Sequence, residues 1–438
     1  MSKRVFVFSR NKILQQSFNS CQEPAIEGDE MKVGKLLVVF PTVVLLFVIF
    51  LAKAPAATFS GRSSTVIEWF EDPSDETAVP VYEYLLLNVR DIDNDGLNFK
   101  GYGRLATDTQ DVVDVDSRLY YAYLEKRGVF NNRVDFRFGR QFVSTTAGAS
   151  VMDGLDLNFN KVGPFNFRLF GGGNATYYED YDSDDLIWGA EVNGLFLQDR
   201  LNLGFSYLQT WDDSDLTMEL IGIDFDFDQA NLINVYSEFQ FNYINNVVSY
   251  FLVGGKYYRS PKWNLRAEYL YSLPVFTSTS IYSVFSVDKY QELMAEYTYN
   301  FGPGLRAFGI YSREIYEDFA DANVFEAGIE KIRTDQFSGY LTGVYRNDDD
   351  GQDLKGVKAR VAWMFSTKFQ AGVGANVDVL DRRIDLENNG DETTSDLFWL
   401  YGTYFFTDRV NAQLKLERAS SDLWDEYYRG RARFNISF

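Results

Sequence analysis

The 438-residue chain carries 42 basic and 63 acidic side chains, a formal charge of -21, one cysteine and no histidine. This inventory excludes Ser-His triads, histidine general bases, thiolate metal sites and most zinc or iron centres, and an acidic surface suits nucleic-acid phosphates poorly. With 38 Phe, 29 Tyr, 7 Trp and a mean hydropathy of -0.24, the chain is also too polar for a bundle of apolar membrane helices, so a membrane signal would have to be spread over alternating strands.

Residues 1–30 are polar and read as an upstream extension outside the fold. A second methionine, Met31, is followed by Lys32 and Lys35, an apolar run over residues 36–52, and then Lys53-Ala54-Pro55-Ala56-Ala57. A basic start, an apolar stretch and an Ala-x-Ala exit describe a secretory signal peptide over 31–56, with Ala54 and Ala56 marking cleavage. A retained membrane anchor is the alternative, although the run is slightly short for a span. Cleavage removes Cys21, so the exported chain is expected to hold no disulfide, no haem attached through cysteine, no metal site and no cofactor.

Residues 57–438 have one composition and no linker, and are expected to form a single domain. Segments of about 10–13 residues present one apolar-aromatic face, as side chains alternate across a strand. Examples are Phe165-Asn166-Phe167-Arg168-Leu169, Trp263-Asn264-Leu265-Arg266-Ala267-Glu268-Tyr269 and Val410-Asn411-Ala412-Gln413-Leu414-Lys415-Leu416-Glu417. Tight breaks at Lys161-Val162-Gly163, Gln198-Asp199, Ser260-Pro261, Gly302-Pro303-Gly304, Thr367-Lys368 and Thr407-Asp408 tend to alternate with longer acidic ones at 71–79, 179–185, 348–353 and 381–396. The expected fold is all-β, a transmembrane antiparallel up-and-down β-barrel of about 22 strands. Breaks are weak over 216–258, so 20 or 18 strands also fit. A soluble sandwich or solenoid would have to hide more than a dozen aromatic-rich strands without helices, whereas a closed barrel in lipid removes both that problem and the open edges. Trp69, Tyr178, Trp211, Tyr258, Trp399 and Tyr404 are expected in the interfacial girdles.

The final strand divides cleanly. Tyr428, Gly430, Ala432, Phe434, Ile436 and Phe438 fall on one face, and Arg429, Arg431, Arg433, Asn435 and Ser437 on the other. An arginine facing mid-bilayer lipid costs about 2–4 kcal/mol, so the cationic face must look inward. A terminal strand ending on Phe438, with Ile436, Phe434, Gly430 and Tyr428 behind it, resembles the assembly signal of Gram-negative outer-membrane barrels. Phe136-Arg137-Phe138-Gly139-Arg140-Gln141, followed by Met152-Asp153-Gly154-Leu155, is similar to the Gly-Arg-Gln element of some proteobacterial porins, including alginate-export-like barrels. These resemblances imply an outer-membrane location, contact with membrane lipid and lipopolysaccharide, and insertion by the barrel-assembly machinery.

Facing the apolar sides outward places Arg62, Lys100, Arg104, Arg137, Arg168, Arg266, Lys358, Arg360, Lys415, Arg429, Arg431 and Arg433 in the lumen, with Asp135, Glu268, Glu296, Glu326, Glu330 and Glu417 as acids on that face. Charged rings in a water-filled pore select solutes by charge. Alternatively they pair across strands and stitch the wall, as Lys415 and Glu417 could with Arg431 and Arg433. The small, uncharged segment 143–151 either folds inward as a constriction or forms an ordinary loop. Asp348-Asp349-Asp350-Gly351-Gln352-Asp353 offers oxygen ligands and a turn glycine but lacks the full spacing of a calcium loop. The leading expectation is a passive porin. The competing one is a barrel that sheathes a periplasmic or multihaem cytochrome, as in the porin–cytochrome conduits of metal-reducing bacteria. Enzymatic activity is not expected without histidine.

Overall fold

Alternating side chains demand one apolar and one polar surface, and the chain meets that demand by closing a single sheet on itself. A computed structural model describes residues 57–72, 76–93, 96–175, 184–273, 289–349, 351, 353–381, 392–422 and 424–438. The extension at 1–30, the leader at 31–56 with Ala54 and Ala56, and Tyr178 all lie outside them.

Twenty-two antiparallel strands run from Thr58–Glu71 to Trp424–Ser437, each paired with its neighbours in sequence, and a two-residue piece, Thr77–Ala78, extends the first hairpin. The first and last strands pair from Arg62 against Ser437 to Phe70 against Arg429, which shuts the barrel and leaves no edge. Phe438 and Gly61 exchange backbone hydrogen bonds of 3.1 and 2.9 Å, so the described ends of the barrel meet on one rim. The weakly broken region resolves into Asp215–Gln229, Ile233–Asn242 and Val247–Tyr257.

Turn chemistry sorts the rims. All six tight breaks lie on the rim that holds Phe438, and several use residues at positive φ: Lys161 at 59°, Gln198 at 61°, Asp199 at 64° and Gly304 at 69°. Asn and Asp tolerate this region because their short polar side chains bond locally, and glycine because it lacks a Cβ. Of the longer acidic breaks, residues 73–75, 179–183, 350, 352 and 382–391 lie outside the described residues. The described ends of these breaks lie on the opposite rim, and the strand Glu392–Thr407 takes up the end of the break expected at 381–396. There Asp353 accepts bonds from Asn347 and from the Asp348 backbone, and Arg346 holds Asp348, so these carboxylates serve the loop itself.

The outer surface is an apolar belt. Phe165, Phe167, Leu169, Leu203, Phe205, Leu341, Val373, Leu400, Leu414, Phe434 and Ile436 are all exposed on it. Burying such area stabilises by roughly 25 cal/mol per Å², which only lipid can supply to a closed single-layer sheet. Tyr428, Phe434, Ile436 and Phe438 belong to this face, as does Gly430, whose missing side chain makes room for the Trp69 ring. Tyr404 is exposed among outward aromatics. Trp399 departs from expectation: it shares a face with Tyr401, and Lys415 sits over its ring at 5.6 Å, so it belongs to the lumen and not to a girdle. The segment 396–406 is aromatic on both faces, and only its partners reveal which face is which.

Candidate functional site in the barrel lumen

The strands Val134–Thr145 and Gly148–Val162 form a hairpin whose tip is Thr146-Ala147. The flanking strand Arg118–Gly128 pairs with this hairpin only as far as Arg140, so Gln141–Thr145 separate from the wall on that side. Two close approaches mark the bend. Gly139 has φ +123° and a Cβ there would lie 2.4 Å from the Ala122 carbonyl; on Gly154 one would lie 2.2 Å from the Gly171 carbonyl. Only glycine fits either place.

The tip then docks on strands that are not its neighbours. The Ala147 N–H donates to Ser206 Oγ (2.8 Å), Gln240 Nε2 donates to the Ala147 carbonyl (2.7 Å), and Thr146 Oγ1 donates to Asp224 (2.8 Å). Under it Val143, Ala147 and Met152 pack on Phe170, Ile187, Leu208 and Leu220. The face that receives the tip is therefore the inner one, and 143–151 is an inturned hairpin and not a surface loop. Gly222 completes the dock, since a Cβ there would sit 2.3 Å from the Ala147 nitrogen.

Charges in this sector are paired. Asp156 is fully buried and accepts hydrogen bonds from Arg137 and from Arg168 (2.9 Å); Arg168 also reaches the Ser144 carbonyl at 3.0 Å and Glu191 at 3.5 Å. Arg137 and Arg168 are thus committed to bracing the hairpin. Asp135 sits at its base and accepts from the Gly128 backbone and Asn160. Glu191, Asp224, Asp226 and Glu238 line a cavity of about 490 Å³ beneath the tip, an acidic group that the sequence reading missed.

The other expected lumenal residues all share the inner face but differ in partners. Lys100 pairs with Glu125 at 3.0 Å, Arg266 with Glu268 at 2.7 Å and Glu296 at 3.5 Å, and Glu330 with Arg306 at 2.6 Å. Arg104 donates to the Asp116 carbonyl and covers the Tyr82 ring at 5.0 Å, while Arg360 hydrogen-bonds and covers Tyr401. Lys358 and Glu326 have no ion pair among the described residues.

The closing strand behaves in two ways. Arg429 pairs with Glu68 at 2.8 Å across the seam. Lys415 binds Glu417 on its own strand, and Arg431 stands opposite Lys415 in register. Arg431 also stands opposite Glu68 across the seam, whose carboxylate goes to Arg429. Arg431, Arg433 and, on the first strand, Arg62 make no ion pair among the described residues, and the buried Nε of Arg433 has no acceptor there. Counted from Thr58–Glu71, Asp224 and Glu238 are on the tenth and eleventh strands, half the circumference from Arg431 and Arg433. Arg433 and Glu238 stand at comparable distances from the strand ends at the Phe438 rim. Opposed charge across a low-dielectric-walled bore makes a transverse field.

A row of inward tyrosines also escaped the sequence reading: Tyr82, Tyr84, Tyr102, Tyr121 and Tyr123. Their signal was present as period-two repeats, Tyr82-Glu83-Tyr84 and Tyr121-Ala122-Tyr123.

No family model and no curated protein sequence matches the chain. Among solved structures it is similar to Pseudomonas aeruginosa OpdQ (11% identity, TM-score 0.44, covering 87% of this chain and 99% of that one), the translocation pore of the P pilus usher PapC (7%, 0.49, 87% and 99%) and a BenF-like porin from Pseudomonas fluorescens (8%, 0.42, 87% and 98%). Likeness at this level carries no argument of its own; the closed 22-strand barrel stands on its own strand pairing.

Proposed function

We propose that the barrel is an outer-membrane porin, a water-filled channel for passive diffusion of small polar or charged solutes. The observation that carries this reading is the lumen's division. A docked hairpin narrows one side, while guanidinium groups without counter-charges stand on the other. Unpaired buried charge is costly unless water solvates it, so these arginines speak for a wet bore. On this reading the rim with tight turns faces the periplasm, the acidic breaks face outward, the leader is cleaved after Ala56, and lipopolysaccharide and the assembly machinery are the partners outside and below. No catalytic step is part of the reading.

A sheath around a multihaem cytochrome is the rival. A hairpin held by three hydrogen bonds to strands a few places along the wall narrows that side of the bore and favours the channel, because a sheath needs that space open. Planar-bilayer recording of the purified barrel tests the choice. Discrete ohmic steps are the expected result; a silent barrel that co-purifies with a haem protein would overturn it.

A further inference from the structure

Tyr102 lies at a bulge. Opposite it, the register slips so that Tyr102 pairs with Tyr121 and Gly103 with Leu119, leaving Tyr120 as the extra residue. A bulge re-aims side chains, and here both Tyr120 and Tyr121 reach Tyr102, at centroid distances of 4.9 and 5.8 Å. The stack continues through Tyr84 (6.3 Å) to Tyr82 (6.3 Å), and Tyr121 leads to Tyr123 (5.7 Å). Tyr82, Tyr84, Tyr102, Tyr121 and Tyr123 sit on the inner face of their strands and are half-buried. Their phenol hydroxyls have no hydrogen-bond partner among the described residues, unlike those of Tyr236, bonded to Glu268, and Tyr207, bonded to Glu219.

Strand register sets cations beside these hydroxyls. Arg62 pairs with Leu86, which pairs with Tyr102, so the two residues share a row with their backbones two strand spacings apart, about 10 Å. Arg433 pairs with Val66, which pairs with Tyr82, and Arg104 pairs with Tyr84. The wall therefore presents free hydroxyl donors and acceptors next to two guanidiniums without counter-charges.

Building on the channel reading, we propose that this wall is a solute-binding subsite for hydroxylated ring compounds bearing a single carboxylate, the acidic-monosaccharide class. The carboxylate is held by Arg62 and Arg433, with guanidinium geometry suited to a two-oxygen acceptor. The ring hydroxyls exchange hydrogen bonds with Tyr82, Tyr84 and Tyr102. The number of unbonded phenol hydroxyls selects a polyhydroxylated ring over a bare aromatic acid, which would use ring faces that the stack already covers.

Galacturonate is the probe, with galactose, benzoate and acetate as controls, and two readouts are taken. Isothermal titration into the detergent-solubilised barrel should show galacturonate binding at least tenfold tighter than each control. Arg62→Gln with Arg433→Gln should weaken it at least tenfold; Tyr84→Phe with Tyr102→Phe, which keeps the stack and removes only hydroxyls, should weaken it severalfold. In the bilayer, galacturonate should block current transiently. Equal binding of galacturonate and acetate, or affinity unchanged in the Phe variant, overturns the subsite. Benzoate matching galacturonate overturns the hydroxylated class. A barrel that conducts yet shows no galacturonate binding sinks the subsite alone, and one that binds but never conducts sinks the channel reading alone.

Discussion

Two sectors of the same lumen treat charge in opposite ways. Under the inturned hairpin Asp156 is fully buried between Arg137 and Arg168, with Glu191 beyond. At the seam the exposed Arg62 and the half-buried Arg431 and Arg433 make no ion pair among the described residues. Burial explains the contrast. A charge removed from water must be paired and hydrogen-bonded, whereas one that keeps its water needs no partner. The hairpin sector is thus mechanical, and the seam is where the barrel can meet a solute.

The contrast breaks most readily at Asp156. Asp156→Ala leaves Arg137 without its counter-charge and Arg168 with only Glu191 at 3.5 Å, which costs about 3 kcal/mol. Denaturant unfolding in detergent should show a clearly lowered midpoint; a midpoint within error of the parent would mean the bore hydrates this group.

Gly222→Ala asks whether the tip is the constriction. The new methyl group would sit 2.3 Å from the Ala147 nitrogen, so the dock must shift at a cost of roughly 1–3 kcal/mol. Single-channel conductance should rise while the barrel's far-ultraviolet spectrum stays the same. Unchanged conductance would place the narrowest point elsewhere.

At the seam, replacing Arg429, Arg431 and Arg433 together with Gln should shift the reversal potential toward cation preference with little change in stability. Arg429 accounts for any stability loss, since it alone has Glu68. A constant reversal potential would make the three arginines part of the wall only.

The smallest effect concerns the tight-turn rim. The Phe337 N–H bonded to Asp335, with Lys331 beside it, holds this carboxyl below its ordinary range. A depressed pKa stabilises above the unfolded-state value and the contribution vanishes as pH falls through the folded one, so Asp335→Asn should lower stability slightly near neutrality. The difference from the parent should start to shrink below about pH 4 and vanish once the pH is below the lowered folded value; a gap that persists in strong acid would contradict the assignment.

Much of the architecture was legible because a lipid-facing strand advertises itself every second residue. Phe434 and Ile436 against Arg433 and Arg431 sufficed to orient the closing strand, and tight turns such as Gly302-Pro303-Gly304 punctuated the hairpins. Trp399 was misread because its strand is aromatic on both faces and alternation then carries no sign; only Lys415 and Gly374 reveal that it points inward. The tyrosine wall was visible as a repeat but not as a surface, because the bulge at Tyr120 depends on the neighbouring strand.

By itself, then, the amino-acid sequence pointed to a closed antiparallel barrel and to most of its hairpins, since these follow from local alternation and turn chemistry, while the strand number stayed open at 22, 20 or 18. Tertiary structure decided which charges are spent. Whether an arginine meets Asp156, Glu68 or open water depends on strands far apart in the chain, and on a hairpin that leaves the wall at Gly139 to dock on Ser206, Asp224 and Gln240. No periodicity encodes such long-range meetings, because they arise only when the barrel closes.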